Sequence, residues 1–287
     1  MSAGTLRICG TPIGNLGDVS TRLREALATA NVIACEDTRR TRALLSALEI
    51  PAPRLERLDA NTEGRAAGRL LEQLRNGADV ALVTDAGMPA VSDPGARLVR
   101  DAAAAGLRVD VIPGPSAVTA AVAVAGLDVG DGFAFIGFLP RAAGAINARL
   151  DAADAWGVPL VAFEAPSRLP RTLQALAARA PDRAIVVCRE LTKLYEQVER
   201  GTATEVAERF ATPPAGEVTL VLAALPPRAA SAPADAALDA ALAQLREAGV
   251  GARRASEVVA LLTGLPRREV YRRLTSGAGA PATGDDG

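Results

Sequence analysis

Histidine is absent from all 287 residues. Its absence removes the usual imidazole general base, the Ser-His-Asp and Cys-His mechanisms, and the histidine-containing zinc sites. Any chemistry must run on carboxylates, hydroxyls, lysine, arginine or backbone amides. Lysine is almost absent as well: Lys193 is the single one among 32 basic residues. Aromatic residues are only 3%, so the core is expected to be aliphatic. Cys9, Cys35 and Cys188 are widely spaced, with no C-x-x-C pair, which excludes a disulfide framework or a zinc knuckle. Each ends an apolar run and reads as a buried, inert thiol. No metal site is expected. No run approaches the roughly 18 apolar residues of a membrane span, and the start lacks a basic segment followed by a long apolar one. A cytoplasmic protein without membrane association is therefore expected. The net charge of −1 gives no whole-molecule attraction to polyanions, so any nucleic-acid contact needs a local patch.

What is present is a sizeable apolar fraction, 49%, in a repeating pattern. Apolar, β-branched runs at Leu6–Cys9, Val32–Cys35, Val80–Val83, Val109–Ile112, Phe133–Ile136, Leu160–Phe163, Ile185–Cys188 and Leu220–Leu222 alternate with helical spacings such as Leu23, Ala26, Leu27, Ala30. Alternation of this kind predicts an α/β fold with mainly parallel sheets covered by helices. The Pro113-Gly-Pro115 elbow interrupts it near the middle and favours two sheets over one barrel. The expected organisation is an N-terminal α/β domain over 1–114, a second over 115–224, a proline-stiffened linker over 225–234, a small helical domain over 235–275 and a disordered tail over 276–287.

Ligands of open α/β sheets bind beyond the carboxyl ends of strands, so the segments after each strand are the candidates for chemistry. Cys9-Gly-Thr-Pro-Ile-Gly-Asn-Leu-Gly-Asp18 is glycine-rich but is neither G-x-G-x-x-G nor a P-loop. Glu36-Asp-Thr-Arg-Arg-Thr-Arg42 opens a helix with two carboxylates, which suit a first turn, and three arginines able to hold phosphate. In Asp85-Ala-Gly-Met-Pro-Ala-Val-Ser-Asp-Pro-Gly95, small and turn-forming residues would admit a ligand to the backbone, with Asp85 facing a ribose hydroxyl or a positive centre. Asp93-Pro94 reads there as the N-cap and first residue of the next helix. Pro113-Gly-Pro-Ser-Ala117 repeats the strand, turn, helix pattern, with Ser116 at a helix start.

These strings, with Gly137-Phe-Leu-Pro140, Phe163-Glu-Ala-Pro-Ser-Arg168, Arg189-Glu-Leu-Thr-Lys193 and Gly216-Glu217, resemble in order and over nearly the whole chain the tetrapyrrole methylase superfamily. Within it, the ribosomal RNA small-subunit methyltransferase I family is the most similar. The resemblance implies two α/β domains of the class III methyltransferase type with S-adenosylmethionine in a cleft between them, plus the small C-terminal helical domain. It also implies a homodimer and 2′-O-methylation of a cytidine in the decoding centre of 16S rRNA, within the small ribosomal subunit. By position it assigns the cofactor to Thr11, Pro12, Asp85, Ala86, Gly87, Met88, Pro89, Ser116, Ala117, Phe163, Glu164, Leu191, Gly216, Glu217 and Val218. Met88 stands where the family commonly has threonine, and Phe163-Glu-Ala-Pro-Ser where Tyr-Glu-Ser-Pro-His is more usual.

The methyl sulfonium is an activated donor, so the protein's task is geometry and a destination for one proton. Without histidine, the candidates are Glu36, Asp37, Glu190 and Lys193, with Arg39 beside them on the acceptor side. Lys193 is attractive because burial lowers a lysine pKa. RNA phosphates are assigned to Arg40 and Arg42 and to the tail arginines Arg253, Arg254, Arg267, Arg268, Arg272 and Arg273. From Val250 to Leu274 these tail arginines stand against Glu257 and Glu269 in a helix-turn-helix spacing with Gly264 at the turn and Val270 inside. Two rivals are weighed: a same-fold methylase acting on a tetrapyrrole or other small molecule, and a non-enzymatic DNA-binding regulator. The basic tail opposes the first and the loop series the second.

Overall fold

A computed structural model of the chain describes residues 2–59, 63–130, 132–225 and 235–276. The expected linker, apart from Leu225, and the expected disordered tail beyond Ser276 lie outside the described residues. The chain forms two compact units, Met1–Ala224 and Leu225–Gly287.

The first unit contains two five-stranded sheets. Strands β1 (Thr5–Cys9), β2 (Val32–Cys35), β3 (Arg54–Arg57), β4 (Val80–Leu82) and β5 (Arg108–Ile112) make the first, in the order β3-β2-β4-β1-β5 and parallel throughout. Parallel pairing requires crossovers. Helices α1 (Thr21–Thr29), α2 (Thr38–Ala47), α3 (Glu63–Arg75) and α4 (Ala96–Ala104) alternate with these strands. Both faces are covered: Leu70, Leu74 and Leu98 pack on Leu6, Val32 and Leu82, while Leu23, Leu27 and Leu45 pack on Cys9, Ile33 and Val83. Each such leucine contributes roughly 1.5–3 kcal/mol by leaving water. Ser20 caps α1 by accepting from the Leu23 N–H.

Past the Pro113–Pro115 elbow, α5 (Ala117–Ala125) is followed by β6 (Ala134–Phe138), α6 (Ala143–Asp154), β7 (Leu160–Glu164), α7 (Leu169–Arg179), β8 (Ala184–Arg189), β9 (Gln197–Thr202), α8 (Ala203–Arg209) and β10 (Val218–Leu222). The second sheet runs β6-β7-β10-β8-β9. Here the expectation of mainly parallel strands is corrected: only β6 and β7 pair in parallel, and β10 is antiparallel to both β7 and β8, as is β9 to β8. For β9 the reason is local, since the short segment 190–196 leaves no room for a crossover between β8 and β9. Two strands carry no apolar run and were not expected. Both, β3 and β9, are edge strands whose arginines and glutamates keep the open edge soluble.

In the second unit α9 (Asp235–Glu247), α10 (Ala252–Thr263) and α11 (Arg267–Ser276) share a core of Leu238, Leu242, Ala255, Val259, Val270 and Leu274. Gly264 ends α10 in the left-handed conformation, φ 70°, and Val270 is fully buried.

Candidate active site

The loops after β1, β4 and β5 leave the same end of the parallel sheet and are drawn together by glycine. A Cβ on Gly114 would lie 2.5 Å from the Gly10 carbonyl oxygen, and one on Gly10 would lie 2.6 Å from Met88 Sδ. Thr11 and Gly87 exchange backbone hydrogen bonds, 2.9 and 3.1 Å, and the Thr11 hydroxyl donates to the Thr84 carbonyl at 3.2 Å. The backbone N–H and C=O of Gly87 are therefore spent on this zipper. The zipper holds open a cavity of about 440 Å³ floored by Asp85, Ala86, Gly87 and Met88 and walled by Ser116, Ala117, Phe163, Glu164, Glu217 and Val218. Ten of the residues assigned to the cofactor from sequence thus surround one space. A second cavity of about 380 Å³ shares Asp85, Ala86, Arg40 and Glu217 with the first and adds Thr11, Pro12 and Lys193.

Three assigned residues lie behind these walls. Leu191 is buried among Ile13, Val118 and Cys188, Pro89 is buried, and Gly216 supports Glu190, whose Cδ a Cβ there would meet at 2.3 Å. Glu164 lines the cavity, but its carboxylate is consumed: it accepts from the Thr172 hydroxyl and the Ala165 N–H, both at 2.6 Å, and pairs with Arg168 at 2.5 Å. Its work is to fix the Ala165–Pro166 turn.

Among the candidates for proton chemistry, Glu36 lines the main cavity. Burial, then Asp85, pushes its carboxyl up, while the Thr84 hydroxyl, donating at 3.5 Å, pulls it down. Asp37 instead caps α2, accepting from the Arg39 N–H at 2.8 Å, and holds the Arg39 guanidinium; those bonds bring its pKa down to about 2. Glu190 donates nothing to the cavity: it accepts from the Glu217 N–H and pairs with Lys193, which lowers its pKa. The expectation of a depressed lysine is reversed. The Lys193 ammonium donates to Glu190 at 2.7 Å and Glu217 at 3.0 Å, and although burial pulls its pKa down, those two carboxylates raise it on balance. A Cβ on Gly14 would meet Lys193 Cγ at 2.3 Å, so this glycine is what lets the lysine lie across the loop after β1.

The reading of Asp93 as a helix cap is also corrected. Gly95 occupies the cap position of α4 with φ 119°, and the Glu63 carboxylate accepts from the Gly95 and Arg97 N–H groups at 3.0 and 3.2 Å. Asp93 lines the main cavity with Glu36 and Asp85. Sequence reasoning missed Asp93, Ile13 and Phe138 as lining residues. Phe138 stacks edge-on to Phe163, 5.4 Å between centroids, and its signal was the Gly137-Phe-Leu-Pro140 string.

Arg40 lines both cavities and lies 3.5 Å from Asp85, while Arg39 is tied to Asp37 and Arg42 is exposed. In the helical unit, Arg253, Arg267, Arg268 and Tyr271 surround a surface hollow. Arg267 pairs there with Glu257, and Arg254 and Arg272 are exposed elsewhere. Arg273 is half-buried between Asp239 and Glu269 and works as an internal tie. The three cysteines are buried, and burial pushes Cys9 up to about 12 and Cys188 to about 11.

Residues 5–207 match the family described as Tetrapyrrole (Corrin/Porphyrin) Methylases. The chain is 41% identical over 293 residues to the ribosomal RNA small subunit methyltransferase I of Mycobacterium tuberculosis, covering 98% of this chain and all of that one, 100%. It is 40% identical over 285 residues to that of Mesorhizobium japonicum, covering 98% and 95%. Its fold is similar to that of uroporphyrin-III C-methyltransferase from Thermus thermophilus complexed with S-adenyl homocysteine, with TM-score 0.54 and 18% identity over 76% of this chain and 96% of that one. The two-sheet architecture, the cavity at the strand ends and this similarity along nearly the whole chain establish that the protein belongs to the tetrapyrrole methylase family and, within it, to the ribosomal RNA small subunit methyltransferase I family.

Proposed function

We propose that the chain transfers the methyl group of S-adenosylmethionine to the 2′-hydroxyl of a cytidine in the decoding centre of 16S rRNA, acting on the small ribosomal subunit as a homodimer in the cytoplasm. The observation that carries this reading is near-full-length similarity to relatives named for small-subunit rRNA methylation, helical unit included. No helix among the described residues is long and apolar enough to cross a membrane.

The residues present fit the cofactor. A cavity lined by Glu36, Asp85 and Asp93 suits a cation, and the Phe138–Phe163 pair supplies an apolar face. The Gly10–Gly114 approach, too close for a Cβ on either residue, brings the loops after β1 and β5 together. Asp85 to Met88, Ser116, Ala117, Phe163 and Val218 would hold the cofactor, which supplies an electrophilic methyl group when bound. The chain's own part is to orient the acceptor and receive its proton. Arg40, which lines both cavities, and Lys193, which lines the second, set positive charge where the two cavities share Asp85 and Glu217. Lys193 is held there as a cation, so its role is electrostatic and positional.

Tritium transfer from labelled S-adenosylmethionine to purified small subunits, naked 16S rRNA, duplex DNA and uroporphyrinogen tests the assignment. Label retained in the ribose of one cytidine of the small subunit is expected. Transfer only to the tetrapyrrole, or to neither RNA, rejects it.

A further inference from the structure

We propose that Asp93 is the proton-accepting residue of the methyl transfer, and that the positive charge of the bound cofactor is what readies it. The inference rests on the methyltransferase reading and assigns a residue within it.

The backbone spends conformational energy to put this carboxyl where it is. Asp93 stands two residues before the cap position of α4, which Gly95 holds, and Glu63, 32 residues away from Gly95, accepts from the Gly95 N–H in its place. Ala90 and Ser92 are both left-handed, φ 64° and 65°, a conformation costing of order 1 kcal/mol or more for residues with a Cβ. Gly95 completes the bend at φ 119°, and Leu82 Cδ2 would stand 2.7 Å from any Cβ there. A loop built only to start a helix needs none of this. The result turns Asp93 away from the helix and into the cavity wall.

Its neighbours define its chemistry. Glu36 from the end of β2 and Asp85 from the loop after β4 face the same space, with Thr84 beside them and Arg40 from α2 paired to Asp85. Asp59 adds negative charge near Glu36. The remaining cavity carboxylates are already compensated, Glu164 by Arg168 and Glu217 by Lys193. Burial first, then Glu36 and Asp85, pushes Asp93 up to about 6, the Thr84 hydroxyl opposing. Among the described residues no group of three or more acidic or thiol side chains is arranged to hold a metal ion, so these three carboxylates are not a metal cage.

A cation entering this cavity favours the ionised carboxyl. In the transfer, the acceptor O–H bond breaks and its proton passes to the Asp93 carboxylate. The oxygen lone pair forms the new C–O bond, and the S–C bonding pair returns to sulfur. Sulfur loses its positive charge as Asp93 loses its negative one, so the cavity's net charge is the same before and after, and no charge is stranded in it.

Titration calorimetry of the full chain at pH 6, in buffers of different ionisation enthalpy, tests this without any RNA. S-adenosylmethionine is expected to release roughly half a proton from the protein, and neutral S-adenosylhomocysteine essentially none. Asp93→Asn is expected to abolish the release, and Glu36→Gln, which removes a neighbouring charge that raises Asp93, to reduce it without abolishing it. With small subunits as acceptor, Asp93→Asn is expected to lower kcat about 100-fold or more while the KM for the cofactor stays within a few-fold. The absence of release from the wild-type chain is decisive against the proposal even if the variant folds poorly. Cofactor binding without proton release overturns the proposal, as does release that survives in Asp93→Asn and vanishes in Glu36→Gln. No cofactor binding at all overturns the methyltransferase reading itself, and the assignment with it.

Discussion

At the scale of single residues, partners remote along the chain decide what a side chain does: Glu217 helps hold Lys193, and Glu63 takes the Gly95 N–H at the start of α4. Lys193 stood out as the lone lysine, but the sign of its shift is set by Glu217, 24 residues away, as much as by Glu190 close by. Asp93 had every local mark of a cap, and the competitor that displaced it, Glu63, is remote in sequence. The pairing of Lys193 has a measurable consequence. Its pKa is raised in the folded state, so the stability it contributes is present below the unfolded value of 10.5 and fades as pH rises through the folded value. Lys193→Met is expected to lower Tm by about 2 °C at pH 8, a modest loss because the group is partly solvated. The deficit is expected to close at still more alkaline pH, above 10.5. Thermal scans of both proteins at pH 8 and in that alkaline range check this. A deficit constant with pH would mean that packing against Gly14, and not the ion pairs, is what the lysine supplies.

At the scale of elements, apolar periodicity found eight strands, including the edge strands β5 and β6, but not the edge strands β3 and β9, because Arg54–Arg57 and Gln197–Thr202 carry charged and polar residues where an apolar run would be needed. Parallel and antiparallel pairing were equally opaque, since β7, β8 and β10 all read as continuous apolar runs and strand direction leaves no mark on such a run. Ten of the residues assigned to the cofactor meet around one cavity because they sit at strand ends, where the fold itself gathers them. What holds those ends together is glycine contact between loops, and that contact is testable. Gly114→Ala would put a Cβ 2.5 Å from the Gly10 carbonyl oxygen, backbone against backbone, with no flexible side chain to yield. The loops after β1 and β5 are expected to separate and lower S-adenosylmethionine affinity at least 10-fold. Gly68→Ala, whose Cβ meets nothing within 4 Å on α3, is the control and is expected to bind normally. Calorimetry on both variants decides the point, and equal affinities would show that the loop contact does not shape the cavity.

At the scale of the whole molecule, a net charge of −1 conceals a segregated distribution. The acidic cavity suits a cation, and the helical unit carries six arginines against two glutamates between Val250 and Leu274. The sequence showed this excess, but not which arginines are committed internally. Arg273 ties α11 to α9 and Arg267 pairs with Glu257, whereas Arg253 and Arg268 stand exposed around the Tyr271 hollow. If that hollow receives phosphate, each contact releases a condensed counterion, and the dependence of affinity on salt reports the number of contacts. Arg253→Gln with Arg268→Gln is therefore expected to reduce the slope of log affinity against log salt by about two, along with affinity itself. Cofactor affinity is expected to remain unchanged, because neither residue lines the cavity of the first unit. Anisotropy titrations of a fluorescent 16S rRNA fragment at several salt concentrations measure the slope directly. A fall in affinity with an unchanged slope would assign the two arginines to shape or stacking around Tyr271 instead of to the phosphate backbone.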